Sequence, residues 1–412
     1  MIQVARKGLA GTAALALCLV GAACSSSSSS SSSSSASASA TSSSPSSVSV
    51  TISIAQFDRT LSALSALKPL ATAGQGKVAV LLPDTVTSAR YVQFDAPYLT
   101  QALTLAGLST SQFTVQNAQG SDATQLSQAQ TAITSGASVL IFDPLDPGVG
   151  AQVETYAKAH GVAVIDYDRL TLGGSRAYYV SFNNVLVGQK IGQGFVACAT
   201  AWHVAKPNVL VMYGAPTDNN ATLFAEGYNG VLNPLFSGGT YVKVGNAAGT
   251  WDPPTALSEF QQSFTAHRNI NSVLTPNDAN AAPIIHYLQT QGVKTKTFPV
   301  TGQDASTVGL QNILAGYQCG TVYKPIYLEA EAAAALAMYM RAHKTPPATL
   351  VNGSTNDTKA SPVLPVPSVL LTPKWVTTAN MESTVVADQF VKVAQLCVGT
   401  YVALCQTYGI SE

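Results

Sequence analysis

The sequence predicts an α/β protein of two lobes, each built on a parallel sheet with helices on both faces. Three observations lead there. Apolar runs of strand length alternate with amphipathic segments of helix length from Lys77 to about Tyr323, the pattern of parallel strands joined by helical crossovers. About ten such runs are too many for one ordinary sheet, so two consecutive βα arrays with a cleft between them are the economical arrangement. Polar clusters repeatedly follow the apolar runs directly, which would gather them at C-terminal strand edges, where open α/β sheets take their ligands.

The elements read as follows. Arg6 and Lys7 precede an apolar stretch from Leu9 to Val20, too short to span a bilayer comfortably and suited to a signal segment. Small residues before Cys24 look like a bacterial lipoprotein cleavage site, although Gly21 stands where Leu is usual. Cys24 would then be lipidated and Cys18 lost; a plain secretory signal cut nearby is the alternative. Ser25 to Ser49 is nearly all Ser, Ala and Thr, too polar to bury anything, and reads as a flexible tether. A single acyl chain holds weakly, so stable anchoring would need several.

From Lys77 onward, Val78 to Leu82 is the first strand. Tyr91 to Gly107 reads as helix, with Pro97 as a plausible start of its regular part. Phe113 to Val115 is a strand. Ser121 and Asp122 cap a helix with Leu126, Ala129 and Ile133 on one face, ended by Gly136. Val139 to Phe142 is strand, Val149 to His160 helix, and Val162 to Ile165 and Tyr178 to Phe182 strands. The alternation restarts with helix Val185 to Ala201. Strand Val209 to Met212, helix Ala221 to Gly230, strand Tyr241 to Val244, helix Pro254 to His267, strand Ser272 to Leu274 and helix Asn280 to Gln291 follow. Val300 to Pro325 then runs strand, turn at Gly302 to Asp304, helix, and short strand into Lys324. Tyr327 to His343 is a long helix rich in Ala. Pro362 to Pro367 and Leu370 to Pro373 read as a crossover and not a core element. Ser383 to Tyr408 is an amphipathic tail.

Composition narrows the function. The chain has 412 residues, 46% apolar and only 10% charged, with 21 basic and 21 acidic side chains. Zero net charge argues against nucleic acid. No GxGxxG follows the first strand, and P-loop, GxSxG and HExxH patterns are absent. Gly188, Gly192 and Gly194 lie within a helix and suit close packing. The five histidines are scattered, so no metal is expected, and Asp143 and Asp146 lack the glutamate of a calcium loop. Outside the cytoplasm the remaining cysteines suggest disulfides. Cys397 and Cys405 are close in sequence and are expected to pair, which would leave Cys198 with Cys319; spacing alone does not fix the connectivity.

With charges this scarce, ionisable residues at strand ends need a reason. Arg90-Tyr91 follows the first strand, Asp168-Arg169 the fourth, and Asp218-Asn219-Asn220 the strand VLVMY. Asn277-Asp278 follows SVLTP, and Gln303-Asp304 and Lys324 complete the set. Asp accepts, Asn donates and accepts, and Arg and Lys donate, which together suit a ring of hydroxyls. Tyr91, Tyr167, Phe182 and Trp251 are candidate faces for its C–H patch. For any one cluster alone a helix-capping role is the simpler account, as for Asp218 and Asn277. A surface salt bridge does the same for Asp304 and Lys324.

At this point the motifs VIDYDRL, VSFNNVLVGQ, APTDNNATLFAEGY, PNDANAA, TGQDASTVGLQNILAG and TVYKPI resemble the periplasmic D-xylose-binding proteins of ABC importers. The resemblance runs from about Lys77 to about Pro373. The wider family, periplasmic sugar-binding proteins of type I fold, implies two Rossmann-like lobes, three hinge crossovers, ligand in the cleft, no cofactor and no enzymatic activity. Carried over motif by motif, it implies sugar contacts at Arg90, Tyr91, Asp168, Arg169, Asp218, Asn220, Asn277, Asp304 and Lys324. Trp251 matches a tryptophan region before a helix, with different spacing around it, and Tyr91 stands where a tryptophan is usual. The crossovers fall near Phe182-Asn183, Tyr323-Lys324 and Leu371-Pro373. This divides the chain into a signal segment (1–24), a tether with an inserted segment (25–76), an N-terminal lobe (77–182 and 325–370), a C-terminal lobe (183–324 and 371–395) and a tail (396–412). Cys198 and Cys319 would share the C-terminal lobe. The implied partners are a monosaccharide, most naturally xylose or a related pentose, and an ABC permease; a monomer anchored by its lipid outside the cytoplasm is expected. A sensor of the same fold feeding a membrane receptor kinase is the alternative.

Overall fold

A computed structural model of the chain describes residues 50–411. The expected signal segment, Cys24 and the serine run lie outside the described residues. The first five strands are β1 (Lys77–Leu82), β2 (Phe113–Asn117), β3 (Ala137–Phe142), β4 (Ala163–Tyr167) and β5 (Tyr178–Phe182). They pair in parallel. In β1 every residue after Lys77 is buried, as a strand covered on both faces must be.

After β5 the chain leaves this sheet for a second one. There β6 (Asn208–Val211) lies between β7 (Val242–Asn246) and β8 (Ser272–Leu274). Isolated parallel bridges from Val273 to Val300 and from Gln303 to Val322 carry the layer on to β9 (Thr321–Tyr323). Helix Ile326–Arg341 then returns to the first lobe. It is buried along almost its whole length, and its alanines let it lie close against β3, β4 and β5. Strands β10 (Gly353–Asp357) and β11 (Leu364–Leu371) extend the first sheet to the order β10-β11-β5-β4-β3-β1-β2. Finally β12 (Lys374–Val376) pairs with β9 in the second lobe. The chain therefore passes between the lobes three times.

Helix ends are capped as their residue types dictate. Ser121 Oγ, Asn183 Oδ1, Asp218 Oδ1 and Asn277 Oδ1 each accept a backbone N–H of the first turn. Helices Asn184–Ala201 and Asn219–Ser237 cross where Gly188 meets Phe224. A Cβ on Gly188 would overlap the Phe224 carbonyl, so the close-packing reading of this glycine holds. A Cβ on Gly194 would likewise overlap the Trp375 ring, while Gly192 leaves a tight fit against Val231 and Tyr228. A disulfide joins Cys198 to Cys319, tying helix Asn184–Ala201 to the start of β9 within the second lobe.

Two expectations need correction. The proline-rich stretch is not a crossover up to Leu371: it is β11, paired in parallel with β5 from Ser368 onward. Pro365 and Pro367 precede that register and face β10 instead, so their missing N–H groups do not interrupt the ladder with β5. Residues 50–76 are not a segment separate from the first lobe. Leu61, Leu64, Leu67 and Leu70 are fully buried in its core. The Tyr339 hydroxyl donates to Val50 O at 2.6 Å, and Thr349 Oγ1 to Ile52 O at 2.8 Å. The helix after β1 behaves as expected: its regular part begins at Ala96 with Pro97 in the first turn, after a wider π-type turn over Tyr91–Asp95.

From Ser383 onward, the amphipathic tail is packed as well. Val385, Phe390, Leu396 and Ile410 are buried, and a disulfide joins Cys397 to Cys405. Phe390 stacks on Phe94 of the first lobe with ring centroids 3.9 Å apart. Gln311 Nε2, on helix Thr307–Leu314 of the second lobe, donates to Leu396 O at 3.1 Å. The tail thus touches both lobes.

Candidate functional site

The C-terminal strand ends of both sheets deliver their polar residues to one interlobe cavity. From the first lobe come Arg90 and Tyr91 after β1, and Asp168 and Arg169 after β4. From the second come Asp218 and Asn220 after β6, Trp251 after β7, Asn277 after β8, and Asp304; Lys324 follows β9. All ten predicted residues line the same space.

The first-lobe half is set by a buried charge cluster. Arg90 Nε and Nη2 donate to the two oxygens of Asp95 at 2.9 and 2.7 Å. Nη2 also donates to Glu329 Oε2 at 2.6 Å, and Nη1 to Asp168 Oδ1 at 2.7 Å. These short, charge-assisted bonds use most of the guanidinium, so Arg90 acts chiefly by holding Asp168. The Tyr91 hydroxyl donates to the other Asp168 oxygen at 3.0 Å. Burial works against the Asp168 charge, but Arg90, then Lys324 and Arg169, hold its carboxyl below the usual range. Burial pushes Glu329 up to about 8, with Arg90 offsetting part of the effect. Asp143 is likewise raised by burial and by Asp168.

Arg169 contrasts with Arg90. Its closest partner is Thr87 Oγ1 at 3.3 Å, and Asp143 and Asp218 lie 3.9 and 3.8 Å from Nε. It is loosely held, with donors to spare for a ligand. Its guanidinium also lies over the Tyr91 ring, 5.6 Å from the centroid.

In the second-lobe half, Trp251 Nε1 donates to Asp218 Oδ2 at 2.9 Å. The indole fits only because residue 214 is glycine; a Cβ there would overlap the ring. Asn280 Nδ2 fixes the approach by donating to Thr250 O at 2.8 Å. Asn220 joins the halves, donating to the Asp168 carbonyl at 2.8 Å. Lys324 Nζ sits 3.5 Å from Asp304 Oδ1 and 3.8 Å from Asp168 Oδ1. Asp304 Oδ1 and Gln303 Oε1 are buried and accept no hydrogen bond from the described residues. Asp218 and Asn277 turn out to do two things at once, capping a helix with one atom and lining the cavity.

Thr87, Ser88, Phe224 and Gln303 also line the cavity and were not among the predicted contacts. Asp95 and Glu329, which hold Arg90, were missed too, although two glutamates in an alanine-rich helix are a visible anomaly. Tyr167 and Phe182, expected as stacking faces, are fully buried in the core. Tyr167 donates instead to Asp95 at 2.6 Å. The aromatic surface belongs to Trp251, Phe224 and Tyr91.

The lining balances Arg90, Arg169 and Lys324 against Asp168, Asp218 and Asp304. Such a cavity favours no net ligand charge and offers donors and acceptors in alternation around an aromatic wall.

Residues 78–345 match the periplasmic binding protein domain family. The chain belongs to the periplasmic sugar-binding proteins of type I fold. It is 37% identical over 285 residues to the D-xylose-binding periplasmic protein of Escherichia coli K12, covering 68% of this chain and 82% of that one. It is 32% identical over 343 residues to the multiple sugar-binding periplasmic receptor ChvE of Rhizobium radiobacter, covering 80% and 94%. Among solved structures, a carbohydrate-transporter solute-binding protein from Chloroflexus aurantiacus in complex with D-glucose superposes with a TM-score of 0.69 at 28% identity, covering 77% and 97%. As a family member the chain is a solute-binding protein and not an enzyme. It acts outside the cytoplasm, and no described helix is long and apolar enough to cross a membrane.

Proposed function

We propose that this protein captures a neutral monosaccharide, D-xylose first among candidates, between its lobes and presents the closed form to an ABC permease. The observation that carries this reading is the convergence of charge-balanced polar side chains from both lobes, with aromatic faces, on one cavity. Arg169 donates to ring hydroxyls, and Asp168, Asp218 and Asp304 accept from them. Asn277 does both, Asn220 has one N–H left to donate because its Oδ1 already accepts from Tyr179 and Asn184, and Trp251 covers the C–H face. Ligand bridging the lobes favours closure because only the closed form makes both sets of contacts. Lys324, at the second crossover, faces carboxylates of both lobes and couples hinge to site. The lobe divisions given above, lipidation of Cys24 and a monomeric state belong to the same proposal.

The 37% identity to D-xylose-binding protein supports xylose, while relatives named for several sugars and a neighbour holding glucose support a broader pocket. One observation favours a second reading: the relative matched over 94% of its length is named a receptor, so the protein would feed a membrane sensor instead of a permease.

A thermal-shift screen of the protein against monosaccharides tests the first step. Ligand at about 100 times its Kd adds about 2.7 kcal/mol to stability. A shift with xylose or another monosaccharide is expected; no shift with any sugar overturns the reading.

A further inference from the structure

Beside the inner cavity lies a groove of about 860 Å³. It runs between helix Ala96–Leu105 of the first lobe, the start of helix Thr307–Leu314 of the second, and the tail. Ser88, Arg90 and Asp304 belong to the walls of both spaces. The shared wall includes a single long contact between the lobes, Ser88 Oγ donating to Asp304 Oδ2 at 3.4 Å. A ligand oxygen could replace that bond without exposing a well-satisfied group.

The groove's chemistry repeats that of the inner site in weaker form. Phe94 and Phe390 form a stacked aromatic wall. Gln93, Gln101 and Gln395 offer amides that both donate and accept. Amides beside an aromatic face match a second ring of hydroxyls with a C–H patch. Phe390 and Gln395 come from the tail, beyond the family-matched residues 78–345, so this outer wall is an addition to the shared two-lobe body.

We infer that the groove is a second subsite, which holds the glycosidic substituent of a sugar whose terminal ring occupies the inner cavity. Its ligands are disaccharides or other neutral glycosides. The inference rests on the sugar-capture reading above.

Titration calorimetry of the full-length protein with D-xylose, D-glucose, xylobiose and cellobiose tests it, together with Val308→Trp. Val308 is half exposed on the groove rim and lies outside the inner cavity. At least one disaccharide is expected to bind within about tenfold of its monosaccharide, and Val308→Trp to weaken it by about tenfold or more while leaving the monosaccharide unchanged. Binding of a monosaccharide with neither disaccharide overturns the inference and spares the capture reading. So does equal weakening of both ligands by Val308→Trp. Binding of none of the four overturns both.

Discussion

Asp304 offers the sharpest separation of binding from folding. Among the described residues its carboxylate has two long contacts, Ser88 Oγ at 3.4 Å and Lys324 Nζ at 3.5 Å, and its Oδ1, although buried, accepts no hydrogen bond. Little native structure hangs on this side chain. A ligand hydroxyl donating to it would make a charge-assisted bond worth about 1.5–3 kcal/mol, or about 10- to 150-fold in Kd. The backbone adds a second consideration, because Asp304 has φ = 89°. Asn tolerates that region, whereas Ala adds strain of about 1–3 kcal/mol. Asp304→Asn should therefore unfold within about 1 kcal/mol of the parent and bind D-xylose at least about tenfold more weakly. Asp304→Ala should lose binding further and also some stability. Urea unfolding and calorimetric titration of both variants give the four numbers. If Asp304→Asn binds within about twofold of the parent, the placement of a sugar hydroxyl on this carboxylate is wrong.

Stability should fall as pH rises from about 5 to 8. Burial raises Asp278 to about 7, Glu329 to about 8 and Glu331 to about 9, so between the ordinary carboxylate range and those values the folded chain holds protons that the unfolded chain has lost. Each such group lowers stability by up to about 1.4 kcal/mol per pH unit; a Tm that climbs steadily across this window refutes the assignment, and Glu329→Gln should flatten the decline. Removing the Cys198–Cys319 disulfide should cost more than removing Cys397–Cys405, because the closed segments span 121 and 8 residues. Loop entropy gives about 5 against about 2.5 kcal/mol, and denaturant unfolding of the two paired Cys→Ser variants would show the reverse order if native packing outweighs it. Gly188→Ala should destabilise by about 1–3 kcal/mol and weaken sugar binding too, since it pushes on Phe224, which lines the cavity; unchanged affinity would separate helix packing from the site.

Most of the site was legible because the fold imposes a simple rule on the sequence. A residue directly after an apolar strand arrives at the crevice, so Asp168, Asp218 and Asn277 could be placed from position alone. What escaped was tertiary. Arg90 looks like a sugar donor in the sequence, yet Asp95 and Glu329, 5 and 239 residues away, occupy most of its N–H groups. Tyr167 and Phe182 have the right residue type and the right strand, but strand alternation turns both into the core. The composition of the proline-rich stretch suits a crossover, yet an edge-side register leaves room for Pro365 and Pro367. The leucines of residues 61–70 recur at helical spacing, but the polar run before them hides that this stretch packs on the first lobe.

The docking of residues 50–76 has a mechanical consequence. Tyr339, Thr349 and the buried leucines fasten this stretch to the first lobe. A pull on the chain ahead of Val50 is therefore delivered to that lobe and not to the hinge. Held from its N-terminal side, the molecule has a mounted half and a swinging half. The swinging half carries Asp218, Trp251, Asn277 and Asp304, and the disulfide between Cys198 and Cys319 braces it. In the proposed closure, tension on that mount leaves the opening angle free, so the jaws can close under load.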